Sequence, residues 1–258
     1  MEQKKPFELI QHVLSTILLD AVQFFPQNKK KVHSESHGLL FGMEKGTTTE
    51  CDYAFPVGSV MERSNMMVMP DSQVDRAVKS AKELFSTSHC IGTYHSHPYD
   101  EYFDEWADPS NSDCYSADYL NLPYFLIVAI ARNGKRNEPL KFSNIQTKAH
   151  EFIYDPKAEG HDAPTTNQLD YDTTCINGVF QKYTFTIRAY RNTGRSLVDV
   201  ELFSSEEKLI TLLNEQKLPV SKIQDEETYR LRKLEYNLRK ENEERGKGNT
   251  EYHLERLK

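Results

Sequence analysis

The chain has 258 residues, of which 38% are hydrophobic and 28% charged, so it can bury a sizeable core without the disulfides that small scaffolds need. Its 32 basic and 39 acidic residues give a formal charge of −7, and we therefore expect no nucleic acid as the main partner. No apolar run approaches the roughly 20 residues of a membrane span, and the four cysteines form no Cys-x-x-Cys pair, which predicts a cytoplasmic protein with reduced thiols and no membrane partner.

The first 154 residues mix amphipathic and apolar stretches, as a single α/β or α+β domain would. Apolar residues at helical spacing predict one helix over 11–24, ended by Pro26, and a second helix that begins at Asp71. Short apolar or alternating runs bounded by turn residues predict strands of one sheet, at 38–42, 50–55, 90–94 and 124–130. We therefore predict a domain over residues 1–154.

The composition changes after Tyr154. Residues 155–174 are polar and show no periodicity, which predicts a linker or a long loop. The region beyond it is predicted to hold a β-hairpin, with strands over 180–190 and 196–203 joined around Asn192-Thr193-Gly194. Two helices are predicted to follow, over 206–216 and 224–245. Residues 175–258 would thus form a smaller C-terminal α+β region of unknown role that ends in a long, charged helix.

The segment His95-Ser96-His97-Pro98 leaves an apolar strand and carries two histidines at positions i and i+2. Side chains two residues apart lie on one face of an extended chain, so both imidazoles can reach one metal ion. Ser110 and Asp113 are three residues apart, and a helix over this segment would point them the same way. Two histidines and one carboxylate are ligands typical of catalytic zinc, and we predict one Zn²⁺ per chain.

A zinc hydrolase also needs a group that moves protons. Glu35 lies just ahead of the apolar strand Gly38-Leu39-Leu40-Phe41-Gly42. A carboxylate at the edge of such a strand, close to a cation, can accept a proton from water and pass it to a leaving amine. Glu35 is therefore the candidate general base.

Together these residues resemble the JAMM or MPN-type zinc metalloproteases, a family of deubiquitinating enzymes with bacterial and archaeal relatives, and the chain is most similar to a prokaryotic member. The shared pattern is a glutamate ahead of Gly-Leu-Leu-x-Gly, then His-x-His-Pro, then Ser-x-x-Asp. The resemblance implies an MPN-type mixed β-sheet flanked by helices. It also implies roles for the matching residues: general base for Glu35, zinc ligands for His95, His97 and Asp113, and a hydroxyl that helps to hold the oxyanion for Ser110.

The stretch between His97 and Ser110 is longer than the family usually has. The additional residues, Tyr99 to Asp108, include five carboxylates, four aromatic side chains and the only tryptophan. We interpret this insertion as a substrate-facing lid for an extended, basic peptide, with a merely solvated loop as the alternative. The insertion also leaves Asp108 and Asp118 as rivals of Asp113 for the metal.

The resemblance further implies a metallopeptidase or isopeptidase that acts on the C-terminal tail of a ubiquitin-like protein, either a conjugate or a precursor. An activating enzyme of the E1 type would be a partner in the same pathway. Two alternatives remain: a scaffold of the same family that has lost its zinc, and a zinc amidase or peptidase with a substrate unrelated to ubiquitin.

Overall fold

The computed structural model describes the chain in several ranges, namely residues 5–10, 12–25, 34–58, 60–63, 68–70, 73–85, 88–133, 138–159, 162–194, 196–206 and 234. Contacts between residues divide the chain into two compact units, Met1–Asn214 and Glu215–Lys258. All the elements that follow belong to the first unit.

Strands outweigh helices in these ranges. The strands are β1 (Phe7–Leu9), β2 (His37–Lys45), β3 (Thr48–Pro56), β4 (Val60–Arg63), β5 (Val68–Pro70), β6 (His89–Tyr99), β7 (Tyr124–Arg132), β8 (Glu138–Ile153), β9 (Thr165–Gln181), β10 (Tyr183–Asn192), β11 (Ser196–Val200) and β12 (Leu202–Ser204). The helices are α1 (Val13–Phe24), α2 (Gln73–Leu84) and α3 (Asn111–Leu120). None of the helices in the described part of the chain has the length and hydrophobicity that crossing a membrane requires.

Ten of the strands form one sheet, and β4 and β5 form a separate pair. The order in the large sheet is β11-β8-β9-β10-β7-β6-β2-β3-β1-β12, and β11 also pairs with β10. Strands β8, β9, β10 and β11 therefore close into a ring. Strand β6, which carries the two predicted histidine ligands, runs parallel to β7 and antiparallel to β2 in the middle of the sheet.

The predicted fold class, an MPN-type α/β fold with a sheet flanked by helices, is wrong. The molecule is mostly β-sheet, and part of that sheet closes on itself. The difference arises mainly from β8 and β9, which have 16 and 17 residues and pair with each other over most of their length. Many of their side chains are polar and exposed, so these strands lack the apolar runs by which the other strands are recognised.

The boundary region predicted as a linker also has a different structure. Residues 165–174 lie in β9, and the described residues 154–159 and 162–164 lie between β8 and β9. Strand β10 pairs with β7 from Tyr183 to Arg191, so the sheet continues without a break from the predicted first domain into the predicted second region. The alternating residues of β10 therefore belong to a sheet in which β10 pairs with β7, β9 and β11, and not to a separate hairpin alone.

Several local predictions are confirmed. Helix α1 begins at Val13 rather than at residue 11 and ends at Phe24, and α2 begins at Gln73. The hairpin of β10 and β11 forms as predicted, with Gly194 at a φ of +79° in its turn, a conformation that glycine adopts without a steric penalty. Apart from Glu206 and Leu234, the helices predicted over 206–216 and 224–245 lie outside the described residues.

The central strands separate two buried layers. On one side α1 packs on the sheet, and Leu14, Ile17 and Leu40 join a large core cluster with Tyr94. The phenol of Tyr94 donates a hydrogen bond to Asp20 Oδ2 in α1 at 2.8 Å. A side chain at Gly38 would overlap this ring, because a Cβ there would lie 2.2 Å from a ring carbon of Tyr94. The residues that alternate with Tyr94 along β6 face the other side, where the candidate site lies.

Candidate metal centre

Strand β6 presents His95 and His97 side by side on the face opposite Tyr94. Both histidines are largely buried, with 9% and 8% of their surface exposed. Their Nε2 atoms are 3.0 Å apart. As predicted from their i, i+2 spacing, both imidazoles are therefore directed to one point.

Helix α3 brings Asp113 to the same point. Ser110 is the N-cap of this helix, and it forms a capping box with Asp113, in which the Asp113 amide donates to Ser110 Oγ at 3.2 Å and the Ser110 amide donates to Asp113 Oδ2 at 2.7 Å. The box holds the Asp113 side chain back over the helix N-terminus. Asp113 Oδ1 then lies 3.1 Å from His95 Nε2, and Oδ2 lies 3.5 Å from His97 Nε2.

The spacing of these atoms is close to that of ligands on a tetrahedral cation. Zinc binds nitrogen and oxygen donors at about 2.0–2.2 Å, so neighbouring donors on a tetrahedron are about 3.3–3.6 Å apart. The two Nε2 atoms are 3.0 Å apart, His95 Nε2 is 3.1 Å from Asp113 Oδ1, and His97 Nε2 is 3.5 Å from Asp113 Oδ2, so the first two separations are slightly shorter than that range. Among the described residues, this is the group of histidine, cysteine and carboxylate side chains that could hold a metal ion.

Hydrogen bonds alone do not account well for how close the two histidines and Asp113 are. An imidazole Nε2 carries either one proton or one lone pair, so His95 Nε2 cannot bond well to both His97 Nε2 and Asp113 at once. Burial by itself would raise the pKa of the Asp113 carboxyl, but the adjacent imidazoles of His95 and His97 hold that pKa well below its usual value. The carboxylate is therefore ionised and available as a ligand.

Ser110 supports Asp113 directly. Its hydroxyl donates to Asp113 Oδ2 at 2.7 Å, and its backbone amide donates to the same oxygen. Two donors on Oδ2 fix the orientation of the carboxylate and leave Oδ1 directed at His95. For the oxyanion role that the resemblance implies, the Ser110 hydroxyl would have to rotate away from Asp113, while the backbone amide kept the carboxylate in place.

Tyr99 is a neighbour of the site that the sequence analysis did not single out. Its hydroxyl lies 3.4 Å from His97 Nδ1. If Nδ1–H donates to the phenol oxygen, His97 Nε2 keeps its lone pair for a metal, which is the tautomer that ligation needs. Burial, together with the nearby charges of Asp113, Glu35 and Asp108, raises the pKa of Tyr99 to about 12. The signal was present in the sequence, since Tyr99 follows His97 at the same spacing of two.

Glu35 lies beside the two histidines. Ser36 and Ser96 pair across β2 and β6, with the Ser96 amide donating to the Ser36 carbonyl at 3.0 Å and the Ser36 amide donating to Ser96 Oγ at 2.8 Å. Continuing this antiparallel register by one residue places Glu35 across from His97 and on the same face. Glu35 is 7% exposed, and its charge acts on the phenol of Tyr99. These observations place Glu35 on the face of the sheet that carries the candidate ligands.

Asp108, one of the two rival carboxylates, is not part of this group. It forms an ion pair with Arg188, and that guanidinium also binds Asp199, with a distance of 2.5 Å between Arg188 Nη2 and Asp199 Oδ2. Burial raises the pKa of Asp108 to about 6, although the charge of Arg188 lowers it. The side chain of the other rival, Asp118, lies outside the described part of the structure. Of Asp108 and Asp113, it is thus Asp113 that lies against the histidines.

The insertion of residues 99 to 108 is anchored at its C-terminal end. Trp106 is only 3% exposed, and its indole nitrogen donates to Thr186 Oγ1 at 2.8 Å. Tyr102 and Phe103, by contrast, are about half exposed, at 55% and 46%. Tyr102 and Phe103 are therefore the side chains of the insertion that a substrate could contact, while Trp106 is part of the protein interior.

No family model and no curated protein matches this chain. The solution structure of protein DSY2949 from Desulfitobacterium hafniense is similar to this chain, with 15% sequence identity and a TM-score of 0.42. The matched region covers 78% of this chain and 94% of DSY2949. This likeness is too weak to indicate a fold or a function. The functional argument therefore depends on the side chains of the site.

Proposed function

We propose that this protein is a zinc-dependent metallopeptidase. The observation that carries the proposal is the convergence of three groups, His95 Nε2, His97 Nε2 and the Asp113 carboxylate, at separations of 3.0, 3.1 and 3.5 Å, beside a buried glutamate. Three protein ligands leave a fourth position for water or substrate, which distinguishes catalytic zinc sites from structural ones. The complete donor set also favours an enzyme over a scaffold that has lost its metal.

Each residue has a task in peptide hydrolysis. When bound, zinc supplies Lewis acidity and lowers the pKa of water toward about 7. Glu35 accepts the proton of the attacking water and returns it to the leaving amine. Ser110 positions Asp113 in the resting state, and its hydroxyl, once rotated, donates to the developing oxyanion, an interaction commonly worth about 3 kcal/mol. Tyr99 holds the ring of His97 in the tautomer that leaves Nε2 available.

The substrate class follows from the motif rather than from the geometry. Since Glu35, the His-x-His-Pro segment and the Ser-x-x-Asp segment resemble those of JAMM proteases, we propose the C-terminal tail of a ubiquitin-like protein as the substrate, as a conjugate or a precursor. An E1-type enzyme would then act in the same pathway. A cytoplasmic location belongs to this proposal, because the four cysteines carry thiols rather than disulfides.

Metal content tests the proposal first. The protein is purified without chelator and its metals are measured by mass spectrometry, next to Asp113→Ala and the control Asp170→Ala, which removes an exposed carboxylate of β9. We expect about one zinc per chain in the wild type and the control and little in Asp113→Ala, because one of three protein ligands is lost. A wild type without zinc after reconstitution would overturn the proposal.

Activity is measured next, on a ubiquitin-like protein that carries a fluorogenic amide at its C-terminus and on a panel of short fluorogenic peptides. Cleavage of the ubiquitin-like protein supports the proposed substrate. Cleavage of short peptides alone would favour the zinc peptidase with an unrelated substrate.

A further inference from the structure

One face of β10 is lined by polar side chains that reach across to the segment around α3. Thr186, Arg188, Tyr190 and Asn192 alternate along this strand and therefore point the same way. Each of them bonds to a residue between positions 106 and 122. We call these four residues the β10 row.

The contacts of the β10 row hold the segment on both sides of Ser110 and Asp113. Before the helix, Thr186 Oγ1 accepts from Trp106 Nε1 at 2.8 Å, Tyr190 donates to the Ala107 carbonyl at 2.6 Å, and Arg188 pairs with Asp108. After it, the Asn192 amide donates to the carbonyls of Ala117 and Leu122, at 2.7 and 3.2 Å. The helix that carries Asp113 is thus tied down at both ends by one strand.

We propose that the β10 row positions Asp113 against His95 and His97, so that it sets the geometry and the affinity of the metal centre. This inference rests on the proposed zinc site and adds residues to it from a part of the chain about 80 positions away. In the described part of the chain, no hydrogen bond or ion pair of the row reaches the three ligands themselves. Its members are positioning residues that act through the backbone around Ser110.

The physical reason is that the ligands come from two independent elements. His95 and His97 are fixed in the middle of a sheet, whereas Asp113 is in the first turn of a ten-residue helix, which is too short to be stable alone. The separation between the two sets therefore depends on what holds α3. Functional side chains need to be held within about 0.5 Å of their working geometry, which requires supporting residues that are themselves locked.

The β10 row meets that requirement. Thr186 and Arg188 are each 7% exposed and Tyr190 is fully buried, so water does not compete for their bonds. Arg188 is further locked by two bonds to Asp199, from Nε at 3.2 Å and from Nη2 at 2.5 Å. Asp199 in turn accepts from the backbone amide of His150 at 2.8 Å, which ties the row into β8 and β11.

The test uses substitutions that preserve shape. Thr186→Val together with Tyr190→Phe removes two bonds of the row and keeps its volume, whereas replacing Arg188 would leave two buried carboxylates without their partner and could unfold the chain. The matched control is Thr184→Val with Tyr183→Phe on the same strand. The Thr184 hydroxyl bonds to the Gly178 carbonyl within the sheet, and Tyr183 packs on Phe25, away from α3.

Zinc dissociation constants are measured by competition with a chromophoric chelator, and Co²⁺ is substituted for zinc to record its visible spectrum, which reports ligand geometry. We expect about tenfold weaker zinc binding and an altered Co²⁺ spectrum in the β10-row variant, the lower end of the effect of removing outer partners of metal ligands. The control, and a Thr186→Ser variant that keeps the hydroxyl, should match the wild type. A folded β10-row variant with wild-type affinity and spectrum would overturn the inference.

A second measurement separates this inference from the proposed function. In metal-free protein, amide hydrogen exchange at Asp113 and Cys114, whose amides bond to Ser110, should be faster in the β10-row variant than in the control. Unchanged exchange overturns the positioning role even if zinc binds. A wild type that binds no zinc overturns the proposed function, whereas faster exchange in the variant would still show that the row positions Asp113.

Discussion

The substitution Asp108→Asn tests whether Asp108 acts as a buried, pH-sensitive partner of Arg188, in contrast to Asp113, which faces the two histidines. Burial raises the pKa of Asp108 from 3.8 to about 6, against the lowering effect of Arg188. Because the folded-state pKa lies above the unfolded one, this group stabilises the fold fully below pH ~4 and loses that contribution as the pH rises through about 6. The difference of about two between the folded and unfolded pKa values of Asp108, at 1.36 kcal/mol per pKa unit, lowers the unfolding free energy by roughly 3 kcal/mol at pH 7 relative to pH 4.

Asparagine has a similar shape and no proton to lose, so the variant should escape this loss. We expect its unfolding free energy, relative to wild type, to increase by up to about 3 kcal/mol between pH 4 and pH 7. Urea denaturation of both proteins across this range, with a chelator present, measures the difference, and other titrating groups cancel in it. Equal pH dependence in the two proteins would refute the reasoning. Weaker zinc binding by the variant is expected from a weakened Arg188–Asp108 contact and does not by itself make Asp108 a ligand.

Three further predictions concern the site and its scaffold. Glu35→Gln should retain zinc but lose turnover by about 10²–10⁴-fold, as the loss of a general base does, and an active variant would remove Glu35 from the mechanism. Replacing Tyr102 and Phe103 together by serine should change peptide preference and leave zinc content intact, and an unaltered substrate profile would show that the insertion is a passive loop. A chain ended after Tyr154 should be insoluble or free of zinc, because it lacks β10, and a soluble, zinc-loaded product would refute the dependence on that strand.

The site could be predicted because each of its parts is encoded locally. His95 and His97 need only an extended backbone to share a face, and Ser110 and Asp113 need only a helix start. The structure brings these residues together as the sequence suggested. The sequence favoured Asp113, which alone has a serine three residues before it, but it left Asp108 and Asp118 as rivals, because spacing does not show that Arg188 pairs with Asp108.

The fold could be predicted only in its apolar parts. Strands β6 and β7 are buried on both faces and stand out as apolar runs, whereas β8 and β9 have one polar face over most of their length. What stabilises β8 and β9 is the ladder between them, which depends on a partner strand rather than on composition. The polar stretch at 165–174 was therefore interpreted as a linker, and the closed ring of strands was missed.

The same difference explains why the supporting residues escaped notice. The ligands follow a motif, but the bonds from Thr186 to Trp106 and from Arg188 to Asp108 each span 80 positions of sequence. Thr186 and Arg188 fit an ordinary alternating strand, and nothing in their spacing indicates that their polar groups face the segment before α3 instead of solvent. Motif residues can keep their identity while such distant contacts vary. If the proposed site and the proposed role of the β10 row both hold, tight zinc binding depends on β10 as well as on His95, His97 and Asp113, and substitutions in both places are needed to establish the site.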